Sequence, residues 1–491
     1  MWPPAVAAAA PRGEPAKSLA ALDEEYAAAE KDLLRRCEVD GHGELAAIIA
    51  AWQLPVVEGR QVALAIPPAV TTPACVATDA ARAIWNDFLA ARRARAAGSF
   101  EHALWAAAAH DRQPTRAELA RPDPEAPALA QRACEAIRLV FLALRDDPDH
   151  ERARAAGGWV RRGDRWVWPE VARRLDKAEE YDPQFGWMPT SKLGRHRAGE
   201  RYLRGRWVPA ADDDAMLREV KHGRQFDTDH WEIVSTAPPS VTGDLATELE
   251  AARLVWLQVF GAFAAEPADL EKRLAGRGRI APQTPHSAIL CGSRDQYAAE
   301  LQQLEPRIEI TAGIYWQPTA TSWFFADPGG PPAVTVRHEA FHQLFAESRP
   351  DFLKLKAEPG GRSGFWAVEA AAIYAESIAP TDFGWTVGGR EAGRAPAAKK
   401  LVAAESHVPL AELAPLGREA FQTHDRIADL YDQCGGLADF FMNARGGRYR
   451  EAFVEYLSRV YSGTADPDTL ARLCRRSLAE LDAEYRESMR Q

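Results

Sequence analysis

Two short segments constrain this chain more than any others: VTVRHEAFHQLF at residues 334–345 and GFWAVEAAAIYAES at residues 364–377. In the first, His338 and His342 stand four apart, which on a helix puts both imidazoles on one face, able to address a single ion. Glu339 directly follows the first histidine, the place from which a carboxylate takes a proton from water at such an ion. In the second segment Glu369 follows His342 by 27 residues. The glycine-rich turn EPGGRSG between them lets two helices fold back antiparallel and carry Glu369 to a third coordination position. Three protein ligands with a fourth position left for water is the arrangement of a zinc hydrolase. The competing reading of Glu369 is a surface residue on an amphipathic helix.

The rest of the chain allows such a site. At 491 residues and 46% apolar content it can bury large cores, and its length suggests two or three domains. The net charge of −10, with arginines interleaved among acids, argues against nucleic acid or an anionic membrane as partner. No uncharged run of roughly 18 apolar residues marks a membrane span. Six scattered cysteines (Cys37, Cys75, Cys134, Cys291, Cys434, Cys474) include no CxxC pair, and their even number permits disulfides without requiring them. Residues 1–13, MWPPAVAAAAPRG, read either as a disordered tail or as the remnant of a secretion signal.

Composition divides the chain further. Residues 14–156 are rich in Ala, Leu, Glu and Arg with helical periodicity, a mainly helical region. Residues 157–226 shift to Trp, Arg and Gly. There GWVRRGDRWVWPEVARR and ERYLRGRWVPAADDDAM repeat one pattern, a hairpin turning at Gly163 or Gly205 and then a proline that opens a helix. FGWMPTSKLGRH reads as a degenerate third copy. Trp159, Trp166, Trp187 and Trp207 either pack these small modules against neighbours or form a stacking surface for sugars or peptides; packing is the favoured reading. Residues 227–491 begin with strands alternating with helices, at about 230–236, 243–265, 287–291 and 294–304. Two more strand-like runs follow, ITAGIYW and TSWFFAD, and after them nearly everything to the end reads as helix. The fold class expected is α+β.

With these residues in view, the C-terminal part, 227–491, resembles the gluzincin metallopeptidases, the peptidase-MA-like class defined by HExxH plus a distant glutamate. Trp366, Glu369, Ala372, Tyr374 and Glu376 match that family's second motif, with Ala370 where a glycine is usual. The resemblance implies a mixed sheet, active-site helices and a helical tail around one zinc ion. His338, His342 and Glu369 would be its ligands, and Glu339 the general base. A later segment, LYDQCGGLADFFMNARGG, puts Tyr431 where aminopeptidase-type relatives have a tyrosine that holds the oxyanion. His424, just upstream, is a rival donor.

The resemblance also implies a peptide or protein as substrate. The Gly-x-Met-Glu-Asn segment that binds a free amine in the aminopeptidases has no counterpart before His338, so an endopeptidase is expected. Substrate would add as a strand along the sheet edge, placed by position at residues 321–327, with Trp323 and Phe325 on one side and Phe324 on the other. The layout, helical region and Trp-rich modules before an HExxH domain, resembles uncharacterised bacterial proteins of this class, many of them predicted to be exported. A periplasmic or extracellular location is accordingly favoured over the cytoplasm. The alternative from another class is an inactive peptidase-like protein whose Trp-rich modules bind cell-wall or protein partners. A serine or cysteine hydrolase finds no GxSxG and no recognisable nucleophile context.

Overall fold

The computed structural model describes residues 15–67, 69–108, 133–203, 205–214, 216, 219–265, 267–277, 283–306, 308–326, 330–348 and 358–490; the tail at 1–13 lies outside them. The fold is mixed α and β, with helices predominating over small sheets.

The first part is helical: Leu19–Val39, Gly43–Ala50, Asp79–Ala108, Ala133–Asp146 and Glu151–Gly157. The two longest of the central helices meet through Phe100, Leu104, Val140 and Leu144. Arg95 and Asp146, both buried, form a two-bond ion pair there at 2.6 and 2.8 Å, so neither charge is left uncompensated in the interior. One strand leaves this region. β1 (Gln61–Leu64) pairs antiparallel with a strand more than 300 residues later, Gln61 opposite Val387 and Leu64 opposite Gly384.

Three hairpins follow, β2–β3 (Val160–Arg162, Arg165–Val167), β4–β5 (Glu179–Asp182, Gly186–Pro189) and β6–β7 (Arg206–Pro209 returning on Glu200–Leu203). Each is followed by a short helix, opened or preceded by Pro169, Pro189 and Pro209. The second residue of each returning strand is a tryptophan, and it pairs across the hairpin with Arg161, Tyr181 or Tyr202. These rings are engaged within the protein. Trp159 is buried and stacks on Trp168 at 4.2 Å, Trp187 donates to Asp229 at 2.8 Å, and Arg195 lies 4.2 Å over Trp207.

The larger sheet has the order β11-β12-β10-β9-β8, from β8 (Arg224–Asp227), β9 (Trp231–Ser235), β10 (His286–Cys291), β11 (Ile314–Trp316) and β12 (Thr321–Phe325). The three central strands are parallel and the two outer ones antiparallel to their neighbours. Side chains alternate between two cores, as the pleat requires. Ile233, Ala288, Leu290 and Phe324 face the main core, while Cys291 and Phe325 face a smaller one with Tyr297 and Leu301, against which Trp323 and Ile289 pack. Phe324 and Trp323 thus point to opposite sides, as the sequence suggests. The edge is a correction: β12 lies inside the sheet, because ITAGIYW turns back through residues 317–320 and covers it, making β11 the edge.

After β12 come the histidine helix Ala333–Glu347 and the glutamate helix Phe365–Glu376. The sequence beyond is not wholly helical. β13 (Ala379–Thr381) and β14 (Gly384–Val387) form a hairpin that receives β1, and helices then run to the C-terminus. The six cysteines are all free thiols, five of them buried. No helix among the described residues is long and apolar enough to cross a membrane.

Candidate metal centre

The histidine helix lays Val336, Ala340, Phe341, Leu344 and Phe345 into the main core, which turns His338, Glu339 and His342 toward the opposite face. Its rotation is set by polar anchors as well as by packing. The buried Gln343 amide accepts from Trp231 Nε1 at 3.2 Å and from Ser322 Oγ at 2.9 Å, and donates to Ser287 O at 3.0 Å, so three central strands hold one side chain. Arg337 donates to Glu248 Oε2 at 2.8 Å and to Ile378 O at 2.6 Å. That fastens the helix to its neighbour on one side and to the end of the glutamate helix on the other.

The glutamate helix is buried along its whole length from Phe365 to Ala375. Trp366 is enclosed by Phe441, Phe453 and Tyr456, and four alanines (Ala370, Ala371, Ala372, Ala375) let the neighbouring helices approach closely. Ala370, where the resembled family has glycine, is fully buried. Glu369 is thus no surface residue: it is 5% exposed and faces the two histidines.

The three side chains converge. His338 Nε2 and His342 Nε2 are 3.1 Å apart, and Glu369 Oε2 lies 3.7 Å from the first and 3.8 Å from the second. At the centre of that triangle is a point about 2.1 Å from all three atoms, within the distances zinc takes to imidazole nitrogen and carboxylate oxygen. Among the described residues this is the one group of three or more potential ligands that meets. The charges agree with a cation's place. Burial works against a charged His338, but the Glu376 hydrogen bond and the carboxylates of Glu339 and Glu369 outweigh it and raise its pKa to about 9. Burial pushes Glu369 up to about 7, and burial with the charge on His338 holds His342 well below the usual range. Two imidazoles and two carboxylates are thus crowded into one buried space, where without a cation the carboxylates and His338 hold protons that a bound cation would displace.

Behind the triangle stands a partner that spacing alone does not reveal. Glu376 Oε1 accepts from His338 Nδ1 at 3.0 Å, and its carboxylate is itself held by Arg394 at 3.0 and 3.3 Å. Two helical turns separate Glu376 from Glu369, so both project toward the histidine helix. The bond keeps a proton on Nδ1, so Nε2 is the nitrogen that would give up its proton and turn a lone pair to a cation at the cluster.

Glu339 is positioned by the sheet edge: its Oε2 accepts the backbone N–H of Tyr315, on β11, at 2.7 Å. Burial raises its pKa, against the opposing pull of His338 and that hydrogen bond. Tyr431 lies at the start of the helix Ile427–Gly447, its ring 5.7 Å from Phe421. Burial, then the charges of Glu369 and Glu339, push its phenol up, so it is a protonated donor within their field. His424 is spent elsewhere, accepting the Arg426 N–H at 3.0 Å in the turn before that helix, and has no hydrogen bond to the cluster among the described residues. Tyr315, Glu376 and Arg394 are the parts of the site that sequence spacing left without a role. Only Glu376 carried a signal, as a motif position on the face of Glu369.

No protein-family model matches the chain, and no curated protein matches it.

Proposed function

We propose that this protein is a zinc-dependent peptidase, an endopeptidase acting on peptide or protein substrates, with His338, His342 and Glu369 holding one zinc ion. The observation that carries the reading is the convergence of the three ligand atoms beside a carboxylate, Glu339, that is not itself a ligand. Zinc bound there would supply Lewis acidity toward water and toward the scissile carbonyl.

The chain's own groups do the rest. Glu339 takes the proton of the attacking water and passes it to the departing amine nitrogen, a role suited to a carboxylate whose pKa burial has raised. The Tyr315 N–H holds that carboxylate at one oxygen and leaves the other free to face the substrate. Tyr431, protonated throughout the neutral range, donates to the carbonyl oxygen as negative charge develops. Glu376 keeps the proton of His338 on Nδ1. An extended substrate lying along β11, the open edge beside Glu339, would bring its carbonyl to the cluster. Residues 313–336 contain no glutamate to bind a free amine, which favours internal cleavage.

The test is bound zinc and casein or quenched-peptide cleavage for the wild type and for Glu339→Gln. Stoichiometric zinc in both, with turnover in the wild type alone, is the expected result. Zinc without cleavage in either, over a broad substrate panel, sinks the peptidase. No zinc after reconstitution sinks the site.

A further inference from the structure

A second cleft, of about 450 Å³, opens between the N-terminal helices and the C-terminal half, within the usual size of a small-ligand site. One wall is β1. In the register with β14, the N–H and C=O of Leu64 point away from the partner strand, where the side-chain amide of Gln258 meets both, accepting from Leu64 N at 2.8 Å and donating to Leu64 O at 2.9 Å. Backbone groups two residues apart on a strand point the same way, so those of Val62 turn into the cleft, on the outer edge of the sheet, where no strand pairs them. Gln258 does for one residue what an added strand would do, and the edge beside it is open.

The cleft is also short of negative charge. Arg138 is matched by Glu135 through two bonds at 2.6 and 2.7 Å. Arg450 donates to Met442 O at 3.1 Å, and Arg60 donates to Ser377 O at 2.7 Å and Thr386 O at 3.3 Å, with its buried Nε lacking any partner. Among the described residues no carboxylate lies within ion-pair distance of Arg60 or Arg450, though both line the cleft. Val57, Phe141, Leu142 and Val259 give it apolar walls, and Val56, 89% exposed, stands at its rim.

An open strand edge, two guanidinium groups with a carboxylate in their field (Asp439 for Arg60, Glu451 for Arg450) but none in ion-pair contact, and apolar walls define one kind of occupant. We propose that the cleft binds the C-terminal end of an extended peptide, its main chain pairing with Val62 and its terminal carboxylate held by Arg60 and Arg450. The site is separate from the metal cluster and does not depend on the peptidase reading.

Calorimetry on the full chain carrying Glu339→Gln tests it, with acetyl-Leu-Val-Ala as the free acid, the same peptide as its C-terminal amide, and inorganic phosphate, each with and without a chelator. The free acid should bind, the amide at least tenfold more weakly, and chelation should change neither. Arg450→Gln should cost the acid at least tenfold and leave the amide unaffected. Val62→Pro, which removes an N–H that pairs with nothing in the sheet, should weaken acid and amide alike while thermal unfolding stays as in the parent protein. Equal binding of acid and amide, or of phosphate and peptide, overturns the proposal, as does binding that vanishes with the metal. So does the absence of binding by either peptide to protein that unfolds normally.

Discussion

Three histidines in this chain are held in the same way, Nδ1 against a glutamate: His338 on Glu376 at 3.0 Å, His230 on Glu250 at 2.7 Å and His286 on Glu347 at 2.6 Å. Their other nitrogens differ. His338 Nε2 meets a second imidazole and a carboxylate, whereas His230 Nε2 is buried and meets nothing, and the ring of His286 packs on Trp231 at 4.9 Å. A histidine–carboxylate pair is therefore a way of anchoring an imidazole inside the protein, and becomes part of a metal site only where other ligands converge on the free nitrogen. His230 and Glu250 join the start of β9 to the helix Pro239–Val259, and His286 and Glu347 join β10 to the end of the histidine helix. Those two pairs build the frame that carries the third.

The largest expected contrast is in bound metal. His342→Ala should fall from near one zinc per chain to less than a tenth after dialysis, because two ligands hold the ion far more weakly than three. His230→Ala and His286→Ala should keep full zinc and lose stability instead. Metal analysis beside thermal unfolding checks this, and zinc retained in His342→Ala would erase the distinction. Next in size is Tyr431→Phe, which removes the phenol donor and nothing else. Turnover should fall roughly 100- to 1,000-fold with zinc content and substrate KM little changed. Unchanged turnover would assign Tyr431 to packing against Phe421, a contact that phenylalanine preserves.

How much of this was legible beforehand follows from the range of the interactions. His338, His342 and Glu369 were readable because helical periodicity and one glycine-rich turn determine them locally, within 31 residues. The alternation of Trp323, Phe324 and Phe325 was readable for the same reason. The edge strand was not. Position along the chain puts TSWFFAD at the edge, and only the pairing of Ile314 with Trp323 shows that Ile314–Trp316 lies outside Thr321–Phe325. The hairpin at residues 379–387 hid behind Pro380 and Gly384, residues that weaken a strand signal yet fit here, since Pro380 lies on the outer strand of its sheet. Least accessible was β1, whose partner is Val387 and whose Gln61 donates to the Tyr374 hydroxyl at 3.0 Å on the far side of the glutamate helix. Nothing in a window of neighbouring residues announces a pairing at that separation.

A buried glutamate with no histidine at all sharpens the comparison. Glu451 is 6% exposed and accepts the Glu135 N–H at 3.2 Å, and burial pushes its carboxyl up to about 7 even against that bond. The unfolded chain, with the ordinary value of 4.5, loses this proton first. Between pH 4.5 and 7 the folded protein therefore binds more protons than the unfolded one, so this residue's contribution to stability falls as pH rises through that window and stays low above it. Glu451→Gln, which cannot ionise, should lack the fall. Its stability relative to wild type should improve by up to about 3 kcal/mol between pH 5 and pH 8, read by urea unfolding at the two values. A constant difference across that range would mean Glu451 is ionised in the fold.

The finest distinction is between the carboxylates of two of the matched pairs. Glu376→Gln keeps the shape of the side chain but lets the amide present a donor to His338, so the tautomer and the aim of Nε2 are no longer enforced. Zinc affinity, measured by competition with a chromophoric chelator, should weaken roughly 10- to 100-fold. Glu250 has the same chemistry in a different place: burial raises its pKa, but His230 and Arg253 outweigh that and bring it below the ordinary value. It also accepts from Thr228 Oγ at 2.6 Å and from the His230 backbone N–H at 2.9 Å. Glu250→Gln should accordingly leave zinc affinity unchanged and reduce stability by about 1–2 kcal/mol, the cost of a weakened buried hydrogen-bond group. If both variants moved zinc affinity alike, the metal site would be coupled to the whole frame, and convergence at His338 would no longer set it apart from the other two histidines.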